Sequence, residues 1–142
     1  MTINIDFDGT VVTHDFPNVG KDIGAVPILR KLVNQGHQLI LFTMRADRFK
    51  TNDPQDDTIQ DVTGLFLTDA IQWFEDNDIP LYGIQTNPTQ SNWTTSPKSY
   101  AQLMIDDSAL GCPLKWDEEL SNRPFVDWEQ VYQLLIAQKI LT

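Results

Sequence analysis

Two aspartates, Asp6 and Asp8, stand two residues apart in the run TINIDFDGT at positions 2–10. Carboxylates that close repel each other, so they need a cation, a shared proton or a division of labour. Ile3, Ile5 and Phe7 alternate along the same run, and the pattern predicts a short buried strand. Gly9 lets the backbone turn sharply where the strand stops. If the chain stays extended that far, alternation puts Asp6 and Asp8 on the same side. In an open α/β sheet ligands bind outside the carboxyl ends of the strands, which is where these acids fall. Taken alone, the stretch fits an Asp-Gly turn with incidental acids equally well.

Further groups of the same kind recur along the chain. Thr43 closes the apolar run HQLILFTM at 37–44, which reads as a strand buried on both faces. Lys98 precedes a strand expected over 100–105, and Asp106 and Asp107 follow it. Parallel strands carry their carboxyl ends on one edge of the sheet, so these signals converge in space on such a fold.

The elements that must position them follow from periodicity and turn chemistry. A loop over 11–20, with His14, Pro17 and Gly20, is expected to form a small flap. An apolar stripe over 21–35 predicts a helix starting near Pro27 and closed by Gly36. The polar stretch 45–57 reads as a loop, with Asp57 or Thr58 as a cap for a helix running to residue 77. A strand is expected over 81–85, a loop over 86–97 and a closing helix over 124–141. The order β, α, β, α, β, β, α describes one α/β domain spanning residues 1–142, with a mainly parallel sheet flanked by helices.

Composition sets bounds on this. The 142 residues fit one domain, and 41% hydrophobic with 21% charged residues is ordinary for a globular chain. The formal net charge of −10 disfavours nucleic acid and anionic membranes, which need a basic footprint. It leaves room for a small phosphorylated substrate, since a bound divalent cation reverses the local field. Cys112 is the single cysteine, so neither an intrachain disulfide nor a Cys-rich zinc site can form. No apolar run approaches the roughly 20 residues of a membrane span, and the first strand begins at the N-terminus with no leader ahead of it. A soluble cytoplasmic chain is expected; the oligomeric state is left open.

The four groups in this order resemble the motifs of the haloacid dehalogenase-like superfamily. Its first motif matches Asp6-Phe7-Asp8-Gly9-Thr10, its second the strand LILFT ending at Thr43, its third Lys98, and its fourth QLMIDD ending at Asp106-Asp107. The resemblance implies a Rossmann-like domain and a phosphatase that hydrolyses a phosphomonoester through an aspartyl phosphate. Asp6 is then the nucleophile, and Asp8 the general acid and base, its carboxyl raised by its neighbours. Thr43 donates to a phosphoryl oxygen and Lys98 sets a positive charge beside Asp6. Mg²⁺ is the implied cofactor, held by Asp6, the Asp8 carbonyl and Asp106, with Asp107 orienting waters or Lys98.

Gly9, Thr10 and Met44 flank these groups as expected substrate-binding positions. The gaps between motifs leave no room for a cap domain, so a capless member is expected. Arg45 is the first candidate for substrate recognition, because arginine holds anionic oxygens bidentately. Arg48 and Lys50 follow it, with His14 in the flap and Trp93 at the rim, whereas His37 reads as structural. Two other functions stay open: a phosphotransferase on the same fold, and a non-catalytic binding protein of that fold. A signalling receiver domain fits less well, since its adjacent acids belong at the first strand, and here they come last.

Overall fold

The computed structural model describes residues 1–49 and 63–142. Its centre is a four-stranded parallel sheet made of β1 (Thr2–Ile5), β2 (Gln38–Leu41), β5 (Gly83–Ile84) and β6 (Leu103–Ile105), in the order β5-β2-β1-β6. Three helices flank it: α1 (Ala25–Asn34), α2 (Phe66–Asp76) and α3 (Trp128–Ala137). The fold is a single small Rossmann-like α/β domain. No helix among the described residues is long and apolar enough to cross a membrane.

The register explains how the site is assembled. Ile5 pairs with Leu41 on one side and Ile105 on the other. Asp6, Phe42 and Asp106 therefore emerge from three adjacent strands at one level. The pairing runs one step further, with Asp6 N–H donating to Ile105 O at 3.1 Å and Phe42 N–H to Ile5 O at 2.8 Å. The central strands are buried on both faces, as the apolar run of β2 requires: Ile3, Ile5, Leu39, Ile40 and Leu41 have no exposed surface. Phe7 continues this core, packing against Trp73 and Phe74 of α2 at 5.9 and 6.3 Å between ring centres. Beside it α1 and α3 meet, where Lys31 Nζ lies over the Tyr132 ring at 4.8 Å.

All three helices close alike. Beyond α1 the amides of Gly36 and His37 return to Val33 and Leu32, the paired bonds of a Schellman motif. Asp78 and Ile79 do the same for α2, and Lys139 and Ile140 for α3. The left-handed position is Gly36 in the first (φ 89°), as its sequence predicts, but Asp78 (54°) and Lys139 (59°) in the others.

Several elements differ from their sequence expectation. The stretch after Arg45 is not all loop: β3 (Asp47–Arg48) pairs antiparallel with β4 (Gly64–Leu65). The helix expected to begin beyond a cap at 57 or 58 starts at Phe66; Lys50, Asp57 and Thr58 lie outside the described residues. Asp47 takes over the capping task from a distance, accepting from Thr68 N–H at 2.9 Å and Thr68 Oγ–H at 2.6 Å. The closing helix begins only at Trp128, because Phe125–Val126 forms β8 against β7 (Leu114–Lys115). Asp127 caps it, accepting from the Gln130 amide at 3.2 Å while Gln130 Nε2 returns to Asp127 at 2.9 Å.

Candidate active site

β1 stops at Ile5, and the alternation stops with it. Asp6 and Asp8 consequently diverge: Asp6 turns toward the end of β6, Asp8 toward the loop after β2. The turn closes with Thr10 and Val11 N–H donating to Phe7 O, and Gly9 N–H to Val12 O at 2.8 Å. Gly9 has φ 77°, and a Cβ there would fall on the His14 ring and the Asp107 carboxylate, so only glycine fits.

On the β6 side, Asp6, Asp106 and Asp107 gather carboxylate oxygens within 4.8 Å of one another. Each acid is held. Asp6 Oδ2 accepts from Thr10 Oγ–H at 2.8 Å, and Thr10 Oγ in turn accepts from Asp107 N–H at 3.1 Å. Asp106 Oδ1 accepts from Ser108 N–H and Oγ–H, and Asp107 Oδ2 meets His14 Nε2 at 2.7 Å. Burial pushes the Asp6 carboxyl up to about 7; the Thr10 hydroxyl and Phe7 amide oppose the rise, and the charges of Asp106 and Asp107 add to it. An all-oxygen set of three acids with their orienting bonds already made suits a hard divalent cation. Asp106 and Asp107 both bring a carboxylate oxygen to this cluster.

On the β2 side the electrostatics reverse. The Arg45 guanidinium grips Asp8 through both oxygens, Nε to Oδ2 and Nη2 to Oδ1 at 2.8 Å each. It also donates to Asn18 O at 2.7 Å and Phe66 O at 3.1 Å, and it lies between the rings of Phe7 and Phe16 at 4.9 and 5.2 Å. One side chain thus joins the first loop, the flap and the start of α2. The role in substrate recognition expected of Arg45 is corrected here: its side chain is only 1% exposed and four of its five N–H donors are engaged inside the protein. Both Asp8 oxygens are engaged by that guanidinium, so neither is free to face a ligand while the pair is closed.

Thr43 stands at the same edge. Its Oγ accepts from Arg45 N–H at 3.1 Å, which leaves the hydroxyl hydrogen to donate. Gln85, at φ 65°, braces this loop: Oε1 accepts from Thr43 N–H at 2.9 Å, and Nε2 donates to Thr43 O at 2.7 Å and Arg45 O at 3.2 Å. Met44 projects fully into solvent. Thr10, expected against substrate, is completely buried and works as the bridge between Asp6 and Asp107.

Lys98 does not join the cluster. It is exposed and makes no ion pair among the described residues. Its backbone is fixed by Gln90, whose Nε2 donates to Lys98 O at 3.0 Å, and its side chain lines a cleft with Trp93 and Tyr100. Trp93 packs edge-on against Tyr100 at 5.2 Å, on that cleft. His37 is structural as expected, Nε2 donating to Ile140 O at 2.8 Å. Cys112 is half-buried, and burial raises its thiol.

Two supports carry no sequence motif. Val126 N–H donates to Gly9 O at 2.9 Å, and the Trp128 indole N–H donates to Thr10 O at 2.7 Å, so the C-terminal arm holds the first loop in place. Helical spacing marks Trp128 as core, which it is, but says nothing of the bond its nitrogen makes. His14 is the other; its ring lies directly on Gly9.

Fold and site define a small parallel α/β protein with a carboxylate cluster at the carboxyl edge of its sheet. Among solved structures the chain is similar to one described as the conserved protein coded by a locus from Bacteroides thetaiotaomicron, with 30% identity and a TM-score of 0.68 over 98% of this chain and 91% of that one. The chain belongs to the family of that conserved protein. No protein-family model and no curated protein matches the sequence.

Proposed function

We propose that the protein is a phosphatase of the haloacid dehalogenase-like kind, acting on a small phosphomonoester through Asp6. The observation that carries this is the cluster of Asp6, Asp106 and Asp107 at the carboxyl edge of a parallel sheet, Asp6 fixed by Thr10. A carboxylate nucleophile splits a very slow hydrolysis into two easier displacements. Asp6 attacks phosphorus while the bond to the leaving oxygen breaks, and water then attacks the aspartyl phosphate, releasing phosphate and restoring Asp6. Asp6, Asp106 and Asp107 would hold Mg²⁺, which when bound lessens the repulsion between Asp6 and the phosphate dianion. Thr43 Oγ–H donates to a phosphoryl oxygen, held in position by Gln85. Proton delivery from Asp8 requires its pair with Arg45 to open, since both oxygens are engaged in it.

A second reading, a non-catalytic binding protein of this fold, is favoured by that same pair and by the lack of an ion pair between Lys98 and any acid among the described residues. One experiment separates the two. Purified protein is given a generic aryl phosphate with Mg²⁺ or with chelator, beside Asp6→Asn. Metal-dependent phosphate release that disappears in the variant supports the phosphatase. Absence of turnover with no beryllium fluoride captured at Asp6 supports binding alone, whereas capture without turnover supports a phosphatase selective for a different ester. Transfer to an added alcohol in place of water marks a phosphotransferase.

A further inference from the structure

Beside the acids lies a cleft of about 490 Å³, of the size that takes small ligands. Its walls are the flap and the loop between β7 and β8, with Thr13, His14, Asp15, Lys21, Ser121 and Arg123 among the residues lining it. His14 joins the two places. Its ring lies on Gly9 and its Nε2 meets Asp107, while it also lines the cleft. A ligand seated there reaches the carboxylate cluster across a single ring.

The charge of the cleft is unlike the rest of the molecule. Across the chain, acids outnumber Lys and Arg by 20 to 10. In the cleft, Lys21 and Arg123 face one acid, Asp15, and neither cation forms an ion pair among the described residues. The backbone beneath each is held: Lys21 N–H donates to Thr13 Oγ at 2.9 Å, and Arg123 N–H to Ser121 Oγ at 3.3 Å. Trp116 pins that second loop by donating from its indole to Ser121 O at 3.0 Å. Two cations on braced backbone, in no ion pair among the described residues and outnumbering the one acid beside them, are complementary to an anion from outside.

We infer that this cleft binds a second anionic group of the substrate, a phosphate or a carboxylate, while the phosphoryl group to be transferred lies at Asp6. The inference rests on the phosphatase reading and narrows it to bis-anionic phosphomonoesters. Specificity then resides in Lys21 and Arg123, where the sequence had pointed to Arg45.

The test compares phenyl phosphate with carboxyphenyl phosphate and with a sugar bisphosphate, in the full-length protein and in Lys21→Gln, Arg123→Gln and Lys139→Gln. Methylenebisphosphonate, which cannot be hydrolysed, is titrated in parallel and followed by NMR. The wild type should favour at least one bis-anion in kcat/KM. Lys21→Gln and Arg123→Gln should each lower that preference by about five- to tenfold through KM, and weaken methylenebisphosphonate binding by a similar factor. Lys139→Gln, at the far end of α3, should leave the preference in place. The carboxylate and phosphate arms identify which second anion is used. Phosphatase activity with no preference for either bis-anion, or a preference indifferent to both cleft variants, overturns the cleft and leaves the phosphatase. Loss of methylenebisphosphonate binding in the cleft variants without turnover of any ester keeps the cleft as an anion site and overturns the phosphatase. Neither turnover nor binding overturns both.

Discussion

Asp6 and Asp8 leave the same strand end, and the groups that meet them are opposite in sign. Asp6 enters a pocket of carboxylates and is raised to about 7, chiefly by burial. Asp8 enters a pocket built around one guanidinium, which takes both its oxygens and is itself 1% exposed. The first arrangement is unfavourable without an added cation. The second is complete within the protein. A half-buried cluster of like charges invites a ligand, whereas a matched pair on a buried guanidinium holds its surroundings in one geometry. The unmatched charge lies on the β6 side of the loop and the matched pair on the β2 side.

The sharpest way to break this contrast is to neutralise Asp6. Asp6→Asn should lower phosphate release at least a thousandfold in a steady-state assay, on the order of 4 kcal/mol of barrier, with the fold retained by circular dichroism. Arg45→Ala acts on the other side. It strands Asp8 and unties the flap from α2, and should cost about 3–5 kcal/mol in urea denaturation. An Arg45→Ala protein as stable as the wild type would remove the matched pair from the account.

A third expectation separates the sides by pH. With chelator present, the folded protein holds a proton on Asp6 up to about pH 7, while the unfolded chain loses it near 3.8. The folded state binds more protons in that window, so this contribution is full below the unfolded value and is lost as pH rises through the folded one. Stability from this group should fall by about 2–3 kcal/mol between pH 5 and 7, at roughly 1.4 kcal/mol per unit, and level off above. Asp6→Asn should flatten that slope, measured by chemical denaturation across the range. A smaller effect is expected at the shared support: Trp128→Phe leaves Thr10 O without its donor and should cost about 1–2 kcal/mol.

The parallel sheet and the meeting of Asp6, Thr43 and the Asp106-Asp107 pair at one edge were legible because they follow from where apolar runs stop. What depends on a side chain's direction was not. Arg45 lies two residues after Thr43 and reads as a surface recognition group; contacts with Asp8, Asn18 and Phe66, distant in sequence, turn it inward. Lys98 occupies its motif position, but Gln90 and Ser99 fix the backbone around it: Gln90 holds the Lys98 carbonyl, and Ser99 is hydrogen-bonded to Asn4. The two ribbons, β3-β4 and β7-β8, have strands of two residues each, too short for any period to register. Thr10 shows a third limit, since its hydroxyl matches the motif while its burial reassigns what the hydroxyl does.

The helix ends carry a consequence for engineering. Asp78 and Lys139 occupy left-handed positions that Gly36 fills without steric cost in α1. Both are exposed and remote from the acids, and the 4.0 Å pair of Asp78 with Arg30 is a surface contact of little worth. Asp78→Gly and Lys139→Gly should each raise thermal stability by up to about 1 kcal/mol, read as a higher melting temperature. The chain thus holds an unspent margin, two positions where a margin for destabilising active-site variants can be installed before those variants are made.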